Sequence, residues 1–144
     1  MFLNTNTDPR DHSSCSLFYD ELDHWLCATW RGYIDPTEAL QGAEAYLHHA
    51  AHTPSALLLN DNSQLEGPWF ESTDWLARIW LPQAARLGLR YVAHVVQTDR
   101  QYDAITLLKP TKLPFDLQIF NELDEAKHWL RECRRGLLNL GMTG

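Results

Sequence analysis

Few side chains in this sequence are of a type and spacing that could do chemistry, and most of them gather in one stretch. Asp61-Asn62-Ser63 follows the apolar run Ala56-Leu-Leu-Leu59, and Ser72-Thr73 stand between Glu71 and Asp74 just before Trp75. An acidic turn at the end of a buried strand can brace loop amides or accept a partner's cation. A hydroxyl at a helix start can cap the free N–H groups there, or carry a phosphate that those groups and the helix dipole would favour. Glu71 and Asp74 would repel that phosphate, and a cap is the plainer use. Asp99 follows a second apolar run, Tyr91–Val96, so Asp61, Ser72, Thr98 and Asp99 can share one polar rim or be unrelated caps. Trp69, behind Gly67-Pro68, is the best candidate for an exposed aromatic that anchors a partner. Packing under its own loop is the plainer reading. Trp75 and Trp80 either fill the core or wall an apolar pocket.

Other constellations are weaker. His48 and His52 are one helical turn apart and His49 adjoins them, but no acidic or cysteine ligand follows at a convincing spacing. A solvated helix face explains them, and no metal or other cofactor is expected. His94, inside an apolar run, reads as a hydrogen-bonded interior histidine. Nothing matches GxSxG, HExxH or a phosphate-cradling glycine loop, so an enzyme is not expected. A hydrolase built on Ser63, Asp61 and a histidine is the remote alternative. Cys27 falls in a strand and Cys133 on an apolar helical stripe, where thiols stay protonated.

Composition narrows the class. The chain has 144 residues, 44% hydrophobic and 22% charged, which suits one globular domain with a real core. A net charge of −7 without a basic run argues against nucleic acid, which demands clustered Lys and Arg. Three widely spaced cysteines and the polar first ten residues argue against a disulfide framework and a signal peptide. No run approaches the ~20 apolar residues of a membrane span. A cytoplasmic protein with no stable membrane insertion is expected.

The elements that must position these residues follow from periodicity and punctuation. Residues 1–13 read as a flexible lead-in and 138–144 as a tail, bracketing a single domain over 14–137. Residues 16–19 and 25–30 form a hairpin. Asp35-Pro36, with Glu38 three residues after the cap, opens a helix that closes at Thr53-Pro54. Ala56–Leu59 is a strand buried on both faces, stopped by Asn60-Asp61-Asn62-Ser63. A helix from about Ser72 to Leu87 should kink or break around Trp80, because Pro82 removes a donor and crowds a carbonyl. Residues 90–96 form a strand, 97–108 a helix, 115–120 a strand, and a last helix starts from a cap at Asn121.

The resulting order, β-β-α-β-α-β-α-β-α, resembles the STAS domain, the SpoIIAA-like fold of bacterial anti-sigma-factor antagonists. It is most similar to small bacterial STAS-like proteins of undefined role. Those carry an Asp-Asn after the central strand, a Trp-rich helix with an internal Pro and a closing Gly, and a final Phe…Ala…Trp-Leu. Here Asp61-Asn62, Trp75 and Trp80 with Pro82 and Gly88, and Phe120 with Ala126, Trp129 and Leu130 match. The resemblance implies an α/β fold with a mostly parallel mixed sheet, an antiparallel N-terminal edge strand and helices packed against it. In phosphorylatable members an Asp-x-Ser ends the central strand and an Asp-Ser-Ser-Gly opens the next helix. Asp61-Asn62-Ser63 fits the first; Glu71-Ser72-Thr73-Asp74 echoes the second without its Gly. The expectation is a non-enzymatic regulatory or protein-interaction module. It would bind another protein, or itself as a homodimer, through Asp61, Asn62, Ser63, Trp69, Ser72, Thr73, Trp75, Trp80 and Asp99, with Ser72 and Thr73 as possible phosphorylation sites. The alternative is a carrier of a small apolar or lipid-like ligand in a Trp-lined pocket.

Overall fold

The computed structural model describes residues 1–70, 74–97 and 113–141. Six strands form one sheet in the order β1-β2-β3-β4-β5-β6. They are β1 Phe2–Thr7, β2 Ser14–Asp20, β3 Trp25–Tyr33, β4 Leu57–Glu66, β5 Tyr91–Val95 and β6 Asp116–Phe120. β1, β2 and β3 pair antiparallel; β3 to β6 are parallel. The mixed α/β sheet with an antiparallel N-terminal edge is thus as expected, with one strand more. Phe2–Thr7 is not a lead-in but the edge strand itself. Its polar Asn-Thr-Asn-Thr run has little apolar signal, and it is a strand because β2 offers it a ladder.

Strand alternation divides the core in two. Leu26, Ala28, Leu58 and Val92 face α1 (Pro36–His52) and the helix ending in α2 (Leu81–Arg86), while Trp25, Leu57, Leu59, Ala93 and Val95 face α3 (Leu123–Asn139). Both faces of β4 and β5 are covered, which explains their unbroken apolar runs. The α1 start follows the expected capping box: Asp35 accepts from the Glu38 N–H, and Glu38 accepts from the Asp35 N–H. Arg131 of α3 pairs with Asp23 at 3.0 Å and lies over the Trp25 ring, stapling that helix to the β2–β3 hairpin.

Pro82 has the local effect its chemistry demands. Leu76–Trp80 is a π-helical turn in which the Leu81 N–H reaches back to the Leu76 carbonyl, and α2 starts directly after it. Widening the turn accommodates a residue that cannot donate. Two expected boundaries are corrected. Asn121 does not cap α3; the cap position is Glu122, and the Asn121 amide donates instead to the Val96 carbonyl beside the end of β5. α3 runs on to Asn139, into the expected tail. Beyond Gln97, the helix expected over 97–108 lies outside the described residues. Among the described residues no helix is long and apolar enough to cross a membrane.

Candidate functional site

β4 does not stop at Asp61. It continues to Glu66 beside β3, while β5 ends opposite Asp61 at Val95. The turn-forming side chains of Asn60–Ser63 suggest a stop, but Asn60, Asp61 and Asn62 find partners within the sheet. Between the Thr29–Asp61 and Arg31–Gln64 pairs, β4 spends three steps against two on β3, a bulge. The Asp61 carboxylate spans it by accepting from the Ser63 N–H at 2.9 Å. This is the Asx turn that Asp61 was expected to make. Beyond β5, the Gln97 amide closes the open edge by donating to the Ser63 carbonyl at 2.7 Å and the Leu65 carbonyl at 3.3 Å.

Register brings a polar cluster together beneath this bulge. Ala28, Asn60 and His94 stand side by side on β3, β4 and β5, facing α1. The small Ala28 leaves room beside Asn60. Trp30, one pleat along β3, donates its indole N–H to Asn60 Oδ1 at 2.9 Å. Asn60 Nδ2 then donates to Asn62 Oδ1 at 3.1 Å and contacts His94 Nδ1 at 2.8 Å. Asn60, Asn62 and His94 are buried, His94 completely. Trp69 covers the cluster, its ring stacked on His94 at 5.7 Å with 16° between planes.

Donor logic fixes the protonation of the whole set. An indole nitrogen only donates, so the Asn60 atom that meets it must be the oxygen. The Asn60 NH2 therefore points at His94 Nδ1, which must accept. A neutral His94 consequently carries its proton on Nε2. Burial holds the ring neutral by pushing its pKa from 6.5 down to about 3. In this state Nδ1 is engaged and Nε2 is a donor, so the ring has no free lone pair with which to act as a base. The Asn62 Nδ2, Trp69 Nε1 and His94 Nε2 atoms are buried without hydrogen-bond partners among the described residues. A buried unpaired donor costs about 1–3 kcal/mol.

The aromatic shell above the cluster is graded from inside to outside. Trp69 is only 3% exposed, so of its two readings the packing one holds and the exposed anchor does not. Its backbone N–H donates to the Ile34 carbonyl at 3.0 Å, and a left-handed backbone (φ 63°) folds the ring inward against Trp30 and His94. Phe70 and Trp75 are the half-exposed pair, stacked at 6.4 Å with 14° between planes. Ile79, one turn beyond Trp75, is 39% exposed. Trp80 is buried against Tyr46 and donates its N–H to the Ala43 carbonyl. A cavity of about 40 Å³ lies among Trp30, Trp69, Trp80, Tyr46 and Asn60. That is room for about three waters, far below the ~300 Å³ of the smallest usual ligand pockets.

The structure thus places Asn62 and Trp69 in the cluster around Asn60 and His94, Asp61 and Ser63 at the adjoining bulge, Trp75 outside the cluster against Phe70, and Trp80 in the cavity lining. Ser72, Thr73 and Asp99 lie outside the described residues. Asn60, Trp30 and Phe70 were missed by sequence reasoning. Asn60 left a signal: an amide in phase with Leu58 on a buried face must have a partner. Burial raises the Cys15 thiol to about 12 and that of Cys133 to about 11, and raises Cys27 as well, so none of the three is activated. His48 and His52 are exposed on α1, and no metal-ligand group of three or more His, Cys, Asp or Glu occurs among the described residues.

Comparison with known proteins supports the architecture. An uncharacterized protein of the DUF3478 family from Shewanella loihica PV-4, described as having a SpoIIAA-like fold, superposes with a TM-score of 0.56. The match covers 87% of this chain and 98% of that one, at 17% identity. The chain therefore has a SpoIIAA-like fold. No protein-family description and no curated protein matches the sequence.

Proposed function

We propose that this SpoIIAA-like chain is a non-enzymatic regulatory or protein-interaction module that binds another protein through the rim where β4 outruns β5. The observation that carries the reading is the outward pair Phe70–Trp75, continued by Ile79, on a rigid buried base of Trp69, His94 and Asn60. A half-exposed Trp set against packed aromatics has the form of an interaction hot spot. Asp61 and Ser63, half-exposed at the bulge, supply polar contacts beside it. A histidine held as a donor and three protonated thiols support binding over catalysis. Ser72 and Thr73 lie in the connection from Phe70 to Trp75, where a phosphate would change the character of this surface. A cytoplasmic setting suits such a role.

The second reading, a carrier of a small apolar or lipid-like ligand, draws on the aromatic lining of the cavity. Its 40 Å³ favours the first. Cross-linking of the tagged full-length protein in its source cells, compared with Trp75→Ala, tests the proposal. A discrete protein partner should be recovered, and its yield should fall about tenfold or more in the variant, as for a hot-spot tryptophan. Equal recovery by both proteins, or a co-purifying apolar ligand in native mass spectra with no protein partner, would overturn it.

A further inference from the structure

β1 is an open edge of the sheet. Among the described residues its one strand neighbour is β2. Two hydrogen bonds fix the phase of that ladder: the Tyr19 N–H donates to the Met1 carbonyl, and the Asp8 N–H to the Ser13 carbonyl. Alternation then turns the N–H and C=O of Asn4 and Asn6 toward Leu17 and Cys15 of β2. Those of Thr5 and Thr7 point the other way, off the sheet, and both threonines are exposed. Such an edge is a template for another strand unless charge, proline or a bulge spoils it. Phe2–Thr7 contains no charged residue and no proline. Its one irregularity lies between Phe2 and Asn4, which leaves Asn4–Thr7 in regular register.

We propose that β1 is a self-association edge, on which β1 of a second copy of this chain pairs antiparallel. A two-fold axis at Asn6 sets Thr5 opposite the second copy's Thr7, and Thr7 opposite its Thr5. The outward N–H groups of both copies then all meet outward carbonyls, and the opposed threonines add favourable cross-strand pairs. The two Asn6 residues face each other in the close, non-hydrogen-bonded position of the ladder. Charge favours this contact between two copies that each carry −7. The paired segment is neutral, and the carboxylate just beyond it, Asp8, is already matched by Arg10 at 2.8 Å. A ladder this short buries less than the ~1,600 Å² of a stable interface, so the dimer is weak, with a dissociation constant on the order of 100 µM. β2 and β3 separate this edge from β4, so the pairing does not depend on what the rim engages.

Analytical ultracentrifugation of the untagged full-length protein from about 10 µM to about 1 mM tests this. A monomer–dimer equilibrium is expected, and the Thr5 and Thr7 amides should gain protection from hydrogen exchange as the dimer fills. Thr5→Pro removes the outward Thr5 donor from each copy and spares the β2 ladder, because an edge strand tolerates proline where its N–H faces solvent. It should raise the dissociation constant about tenfold or more. If that variant loses its fold, Thr5→Lys, which sets like charges on both sides of the axis, takes its place. Asn6→Cys should form a disulfide-linked dimer under mild oxidation, since this register brings the two Asn6 Cα atoms within disulfide reach. The unsubstituted chain should not cross-link. A monomer throughout the range, a dimer that Thr5→Pro leaves unchanged, or no cross-link through Asn6→Cys would overturn the proposal. So would a dimer lost in Trp75→Ala but kept in Thr5→Pro, which would place self-association at the rim.

Discussion

Replacing Trp30 by Phe removes a single N–H and part of one ring, yet it should disturb groups two residues away. Trp30 is buried, and its Nε1 is the donor to Asn60 Oδ1 at 2.9 Å. Without it a buried carbonyl oxygen is orphaned, at about 1–3 kcal/mol. The lost ring atoms leave a gap against α1 worth about 1 kcal/mol more. Urea unfolding should therefore show a loss of about 2–4 kcal/mol with an unchanged denaturant slope. The second consequence is more specific. Trp30 is what sets the Asn60 amide, and the amide sets the His94 tautomer. Once freed, Asn60 can turn its oxygen toward His94, which then carries its proton on Nδ1. Ring ¹⁵N spectra of Trp30→Phe should show a mixture of tautomers where the parent shows one. A loss below about 1 kcal/mol with the tautomer unchanged would refute the relay, since it would mean that Asn60 is oriented by something else.

Two further outcomes follow from the same packing. A Cβ on Gly42, inside α1, would stand 2.4 Å from the tip of the Trp30 ring and 3.0 Å from Cys15 Sγ. Gly42→Ala gains about 1 kcal/mol of helix propensity. It forces a rigid ring that is pinned at its other side, at about 1–3 kcal/mol; the net, read from thermal melts, should be a destabilisation of up to about 2 kcal/mol. Acid should also weaken the fold before carboxylates titrate. His94 is neutral in the folded chain down to about pH 3, whereas an exposed histidine takes a proton near 6.5, so the unfolded state binds more protons between these values. Stability is complete above pH 6.5 and should fall by about 1.4 kcal/mol per pH unit below it. His94→Gln should flatten that slope in urea titrations at pH 7, 6 and 5.

Legibility in the sequence followed the range of the forces involved. The α1 start could be read because Asp35, Pro36 and Glu38 are local signals that act on each other. The irregularity ending at Trp80 could be read because Pro82 imposes it on the residues just before it. β1 could not, because a polar segment becomes a strand only when β2 exposes an edge to it. Nor could the length of β4: Asn60 and Asn62 look like turn residues until Trp30 and His94, far away in sequence, engage the Asn60 amide, which in turn donates to Asn62. For Trp69 the sequence left exposure and packing both open for the same reason. Gly67-Pro68 announces a loop, but the Ile34 carbonyl and the flat face of His94 decide that the ring turns inward. The sequence pointed to the stretch from Asp61 to Trp75, while the contacts that join Trp30, Asn60 and His94 beneath it are ones that no local pattern records.

The state of His94 carries the most weight, because a binding site and a base-catalysed one differ at that ring. A ¹⁵N ring titration of the intact protein from pH 8 to pH 4 reads it directly. A single neutral form protonated at Nε2, unchanged across the range, is the predicted result. A ring that ionises near pH 6.5, or one whose proton sits on Nδ1, would contradict the account and return a free lone pair to the site.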